Sequence, residues 1–259
     1  MPGSREELAA QLRFVLSERA LRVVFQPIFA FREGAILGYE ALVRGPEGSQ
    51  LHHPADLFAA ASAQGSVLEL NIICIQEVLR SFARHRLPGR LFLNFSPQLL
   101  AERGFSQERS RRFLTALGLE PERVVIELTE DFPIVDFRLV KESLLLYRSM
   151  GFRVAIDDLG EGFASLRLWL ELRPEFVKVD KHFVDGIATD PLKAPFLRAI
   201  QHIAESCDSL VVAEGIENAD DFRVVKDIGI AFGQGWFIGR PCESPVHALA
   251  PEVARANAV

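Results

Sequence analysis

The chain has 259 residues, 49% of them hydrophobic, and a formal net charge of −6 at neutral pH. That is ample apolar material for one large domain or two small ones, and the acidic balance disfavours a polyanionic partner such as DNA or RNA unless a cation or a local Arg/Lys cluster reverses the sign. No stretch reaches the roughly 18–20 consecutive apolar residues that a bilayer-spanning helix needs.

The N-terminal "MPGSREELAAQLRFVLSERA" has helical period, with Ser4 and Glu7 spaced as a capping box, and lacks the pattern of a secretory signal. Two apolar runs follow, "LRVVFQPI" and "AILGYEAL", and then two helical segments, "PADLFAAASAQG" and "SVLELNIICIQEVLRSFARHR". Strand "RLFLNFS", helix "SQERSRRFLTALGL", strand "RVVIELTE" and helix "DFRLVKESLLLYRSM" come next, with Gly151 placed as a C-cap. The remaining runs are "RVAIDDLG", "FVKVD", "LVVAEGIE" and "IAFGQGWFIG", with helical period in "PLKAPFLRAIQHIAESC" and "ADDFRVVKDIG". Near-continuous apolar runs suit strands buried on both faces. About eight of them alternating with helices predict an α/β fold of the TIM-type (βα)8 barrel class. A doubly wound open sheet would need G-x-G-x-x-G after the first strand; "GQGWFIG" misses that spacing by one, and there is no P-loop. Pro and Gly are scattered and mark no linker, so residues 1–259 read as a single domain.

The apolar runs end in polar residues. Glu40 follows "AILGY", Asn94 follows "RLFL", Glu127 follows "RVVI", and Asp157 with Asp158 follows "RVAI". Lys178 and Asp180 lie in "FVKVD", Glu214 and Glu217 close "LVVAEGIE", and Gln234 follows "IAFG". Each alone is more often a helix cap or a turn residue. In a barrel, however, strand ends converge on one face. Converging carboxylates repel unless they share a cation, and oxygen-rich ligation suits Mg²⁺ or Mn²⁺ rather than zinc. The adjacent Asp157-Asp158 pair could serve two ions about 3.5–4 Å apart, an arrangement used in phosphoryl chemistry. Lys178 among these acids reads equally as a structural counter-charge or as a group that orients water.

Other candidates are weaker. His52, His53, His85, His182, His202 and His247 lack zinc-ligand spacing, and no nucleophile signature is present. Cys74, Cys207 and Cys242 form no C-x-x-C pair, which suits reduced thiols and a cytoplasmic location. Trp169 and Trp236 read as packing residues, with Trp236 beside Gln234 also a candidate to line a pocket.

The ordered set Gln26-Pro27-Ile28, Glu40-Ala41-Leu42-Val43-Arg44, Asn94-Phe95-Ser96, Glu127-Leu128-Thr129-Glu130, Asp157-Asp158-Leu159-Gly160, Lys178-Val179-Asp180, Glu214-Gly215-Ile216-Glu217 and Gln234-Gly235 with Pro241 resembles the EAL domain, the family of bacterial cyclic di-GMP phosphodiesterases. The likeness runs from about residue 8 to about residue 245. It implies a TIM-type barrel with one antiparallel strand that hydrolyses cyclic di-GMP to linear pGpG. Carried over motif by motif, Glu40, Asn94, Glu127 and Asp157 would hold one Mg²⁺ or Mn²⁺, and Asp157, Asp158 and Glu214 a second. Lys178 would be the base or water-positioning group, Arg44 the phosphate contact, and Glu130 the anchor of the loop after Asp158. Gln26, Leu42, Asp180, Glu217, Gln234 and Pro241 would support the substrate and its surroundings. Two divalent cations would also let an acidic protein receive a dianionic dinucleotide. The family further implies a homodimer and fusion to, or partnership with, sensory or GGDEF domains, with no membrane segment in this chain.

The sequence departs from the family in "DDLGEGFASL", where active members commonly read D-D-F-G-T-G-Y-S-S-L. Leu159, Glu161, Phe163 and Ala164 differ, while Gly160 and Gly162 are kept. That departure bears on control and rate more than on metal binding. The alternatives are a cyclic di-GMP receptor of weak turnover acting through a partner, and a barrel phosphodiesterase for another nucleotide.

Overall fold

The computed structural model describes residues 5–96, 99–100, 107–128, 137–160 and 165–258. Eight strands close into a barrel in the order in which they occur in the chain. They are β1 (Arg22–Ala30), β2 (Ala35–Arg44), β3 (Arg90–Phe95), β4 (Val124–Leu128), β5 (Arg153–Leu159), β6 (Phe176–Val179), β7 (Leu210–Ala213) and β8 (Phe232–Gly233). β1 runs antiparallel to both of its neighbours, β2 and β8, and every other pairing is parallel. The reversal has a local cause. Only residues 31–34 separate β1 from β2, enough for a hairpin turn and too few for the crossover that parallel strands require.

Helices cover the outside: α1 (Arg5–Glu18), α2 (Pro54–Ala63), α3 (Val67–His85), α4 (Gln107–Ala116), α5 (Phe137–Ser149), α6 (Ser165–Leu172), α7 (Lys193–Ser206), α8 (Ala219–Ile228) and α9 (Pro251–Ala258). Of these, α6 and α9 are not anticipated by the sequence reading, and β8 is only two residues long. Ser4 of the expected capping box lies outside the described residues. The expected end of α5 is present. Gly151 has φ 106° and donates to Arg148 O, while Phe152 donates back to Tyr147 O, the paired bonds of a Schellman cap.

Two cores result from the period-two alternation of strands. Outward-facing side chains such as Phe25, Leu91, Leu93, Ile126, Val154, Val177 and Val211 join the helices in one large buried cluster. A smaller cluster of Ile28, Ala30, Phe92, Val125, Ala155, Phe176, Val212 and Phe232 fills the barrel interior, with Phe92 and Phe176 edge to face at 5.3 Å. This plug is the floor on which the site stands.

Candidate active site

Two residues further along the run of each strand from β3 to β8, on the face that carries the plug, the apolar side chains give way to polar ones. Phe92 is followed by Asn94, Val125 by Glu127, Ala155 by Asp157, Phe176 by Lys178, Val212 by Glu214, and Phe232 by Gln234. The antiparallel β1 contributes Gln26, two residues before Ile28 and opposite Glu40 in the ladder. One step of the strand period therefore converts a dry plug into a ring of polar groups drawn from eight strands.

Lys178 is at the centre, with a side chain 1% exposed. Its Nζ lies 2.8 Å from Asp157 Oδ1, 2.8 Å from Glu214 Oε1, 3.0 Å from Glu127 Oε1 and 3.3 Å from Glu40 Oε2. Burial works to lower the pKa of this ammonium, but Asp157, Glu127, Glu214 and Glu40 together raise it well above the ordinary lysine range. Burial also raises Glu127 and Glu214 well above the usual carboxylate range; Lys178 opposes this, and neighbouring acids add to it. The cluster is one buried cation shared among four carboxylates.

The Asp157-Asp158 pair shows how a strand can turn two successive carboxylates toward one pocket. Ile156 pairs with Val177 and Leu159 with Val179, so β5 carries one residue more than β6 at this point, a bulge. Asp158 takes a positive φ of 56°, and its N–H donates to Asp157 Oδ1 at 3.1 Å. Gly160 then leaves the strand at φ 116°, where a Cβ would come within 2.1 Å of the Phe183 ring. The sequence offers the Asp pair and the glycine; the bulge itself has no sequence signature.

The residues fit divalent cations. Carboxylate oxygens of Glu40, Glu127 and Asp157 lie within 4.8 Å of one another, as do those of Asp157, Asp158 and Glu214. Among the described residues, neither oxygen of the wholly buried Glu127 makes a hydrogen bond, its ionic contact with Lys178 apart. An all-oxygen donor set with orphaned buried oxygens matches the demand of hard cations such as Mg²⁺ and Mn²⁺.

A pocket of about 460 Å³ opens above this layer, lined by Gln26, Glu40, Leu42, Asp157, Asp158, Lys178, Asp180, Lys181, Glu214, Glu217, Gln234 and Trp236, among others. Asp180 is buried and accepts from His182 N at 2.9 Å, while Glu217 is exposed at the rim. Asn94 and Arg44 border an adjoining hollow of about 380 Å³ that shares Leu42 with the first. Arg44 is half-buried, donates to Val43 O at 2.9 Å, and has its pKa lowered by burial against the opposing charge of Glu40. Pro241 does not line the pocket; it precedes Cys242, which exchanges backbone hydrogen bonds with Phe25 of β1. Glu130 and the loop residues Glu161, Gly162, Phe163 and Ala164 lie outside the described residues.

The two tryptophans divide. Trp169 is buried and donates to Ser209 Oγ at 3.0 Å, as expected for packing. Trp236 is instead 51% exposed, with the Arg240 guanidinium 4.1 Å from its ring centroid. Its ring borders both the acidic pocket and a second hollow that contains Arg240. Its place next to Gln234 is the signal that pointed to the pocket; Arg240 and Lys181 gave none.

Comparison with known proteins gives a consistent picture. The family model described as the EAL domain matches residues 8–241. The chain is 30% identical over 239 residues to the cyclic di-GMP phosphodiesterase PdeR of Escherichia coli, a match covering 90% of this chain and 36% of PdeR. A standalone EAL protein of Vibrio cholerae bound to c-di-GMP aligns with a TM-score of 0.79 at 26% identity, covering 90% of this chain and 97% of that one. The manganese/cyclic di-GMP complex of Klebsiella pneumoniae BlrP1 aligns with a TM-score of 0.77 at 27% identity, covering 86% of this chain and 56% of that one. The chain spans about a third of the length of the curated relatives it matches. Among the described residues, no helix is long and apolar enough to cross a membrane.

Proposed function

The chain belongs to the EAL domain family, and from that membership we propose that it is a metal-dependent phosphodiesterase that hydrolyses cyclic di-GMP to linear pGpG. The observation that carries this reading is the gathering of Glu40, Glu127, Asp157 and Glu214 around one buried ammonium, with Asp158 turned into the same pocket. Relatives that act on or bind cyclic di-GMP support the substrate class.

Glu40, Asn94, Glu127 and Asp157 would hold one Mg²⁺ or Mn²⁺, and Asp157, Asp158 and Glu214 a second. Bound there, the ions would acidify water and offset charge on the phosphoryl oxygens. The chain's own groups have distinct tasks in this reading. Lys178 lies between the two carboxylate triads and orients the attacking water, whose oxygen adds to phosphorus as the P–O3′ bond breaks. The single linear product carries a 5′-phosphate and a free 3′-hydroxyl, the departing O3′ gaining a proton as the water loses one. Glu40, Leu42 and Arg44 alternate along β2 and share a face, so the Arg44 guanidinium can clamp the second phosphate of the same substrate. Asp180 and Glu217 border the same pocket, and the exposed ring of Trp236 offers a platform on which a guanine base can stack.

The reading extends to a homodimer in the cytoplasm that works with sensory or GGDEF domains, since relatives are about three times as long. Leu166 and Leu170, exposed four residues apart on α6, suit contact with a second copy.

The test is incubation of the purified chain with cyclic di-GMP and Mg²⁺ or Mn²⁺, following pGpG. Metal-dependent product that is lost in Glu40→Ala is the expected result. Tight binding without product would replace the enzyme with a cyclic di-GMP receptor, and turnover of another cyclic nucleotide alone would replace the substrate.

A further inference from the structure

Gln234 follows β8 in the polar layer and is 3% exposed. Both hydrogens of its amide nitrogen are directed at acceptors: Glu40 Oε2 at 2.6 Å and Gln26 Oε1 at 3.2 Å. The orientation of the amide is fixed by its partners, because turning it over would set an amide oxygen against a carboxylate oxygen. Gln26 is tethered in turn, its Nε2 donating to Gly239 O at 3.1 Å. A relay therefore runs from the backbone beyond β8, through Gln26 and Gln234, to the carboxylate of Glu40. The amide oxygen of Gln234 is buried and accepts no hydrogen bond among the described residues. Both donors of the side chain are thus engaged by neighbouring residues of the site, Glu40 and Gln26.

The contact falls on one oxygen. Gln234 and Lys178 both engage Glu40 Oε2, at 2.6 Å and 3.3 Å, and Oε1 takes no part in either contact. A glutamate has three rotatable side-chain bonds, and pinning one oxygen fixes the direction of the other. Hydrogen-bond partners that orient a ligating carboxylate tune metal affinity without touching the metal.

We propose that Gln234 is a positioning residue for Glu40, setting the affinity of the site for divalent cations, and is not a contact for the substrate. Gln26 is the tether that holds it in place. This rests on the two-cation reading above, and the experiment separates the two.

Mn²⁺ binding to the full chain is measured without nucleotide, by the electron paramagnetic resonance of free Mn²⁺, for wild type, Gln234→Met and Gln26→Met. Methionine keeps the length and removes the donor. The expected result for Gln234→Met is affinity weaker by about 10–100-fold with a thermal midpoint near that of wild type. At saturating Mn²⁺ the KM for cyclic di-GMP should be unchanged. Gln26→Met should weaken Mn²⁺ binding less, and it keeps the relay testable if Gln234→Met does not fold. Wild-type Mn²⁺ affinity in both variants, or a raised KM with Mn²⁺ affinity intact, overturns the proposal alone. Absence of Mn²⁺ binding by the wild type overturns the two-cation reading and the proposal with it.

Discussion

Lys178 has a different weight from any other residue in the barrel, because one ammonium contacts four carboxylates at 2.8–3.3 Å. Breaking a buried ionic cluster by removing one sign leaves the other unpaired, a loss of about 3–5 kcal/mol. Lys178→Met should therefore destabilise the metal-free chain by about that amount in urea unfolding. Mn²⁺ should restore more stability to this variant than it adds to the wild type, since cations replace the missing charge. A variant as stable as wild type in EDTA would contradict the shared-cation arrangement. In the sequence alone Lys178 is as good a counter-charge as a catalytic group. The geometry makes it a counter-charge, in ionic contact with Glu40, Glu127, Asp157 and Glu214.

At the scale of the element, β5 is the strand that does most to shape the site. A regular strand would send Asp157 and Asp158 to opposite faces; the bulge after Ile156 brings both to the pocket and lets Leu159 return to the core. The exit depends on Gly160, whose φ of 116° and closeness to the Phe183 ring leave no room for a side chain. Gly160→Ala should cost about 1–3 kcal/mol through backbone strain, with Mn²⁺ binding weakened as the Asp pair shifts. Thermal unfolding and Mn²⁺ titration of the variant check this, and wild-type values in both would refute the assigned role of the turn.

Across the whole molecule the polar layer couples stability to pH. Glu127 and Glu214 are raised well above the ordinary carboxylate range, with burial the largest cause, so the folded metal-free chain binds more protons than the unfolded chain in the window above that range. Their contribution is fully present below the ordinary carboxylate pKa and is lost as pH rises toward the raised values. Lys178 is also raised, and its contribution is lost only on the alkaline side of the ordinary lysine range, so it leaves the slope near neutrality unchanged. Divalent cations compete with those protons for the same oxygens. The gap in thermal midpoint between Mn²⁺-loaded and EDTA-treated protein should therefore widen from about pH 5 to about pH 8. A gap independent of pH would mean that the acids are already ionised in the metal-free fold.

Much of this was legible locally. Alternating apolar runs and helical segments gave seven of the eight strands nearly at their full extent, because strand and helix periods are properties of consecutive residues. β8 kept only two residues of its run, and α6, in "SLRLWLEL", and α9 went unread. Glu127, Asp157 and Glu214 were readable too, since each sits one strand period beyond an apolar plug residue. Three matters belonged to the tertiary structure. The β5 bulge is a mismatch between two strands and has no counterpart in either one. Trp236 looked like packing by composition, but its exposure depends on what the fold leaves beside it. Gln234 stands in the sequence as one polar strand-end residue among several, and its 2.6 Å hydrogen bond to Glu40, 194 residues away, exists only in the closed barrel. The sequence alone determined which residues are polar at the strand ends; only closure of the barrel decided which of them meet, because meeting depends on register and distance in space.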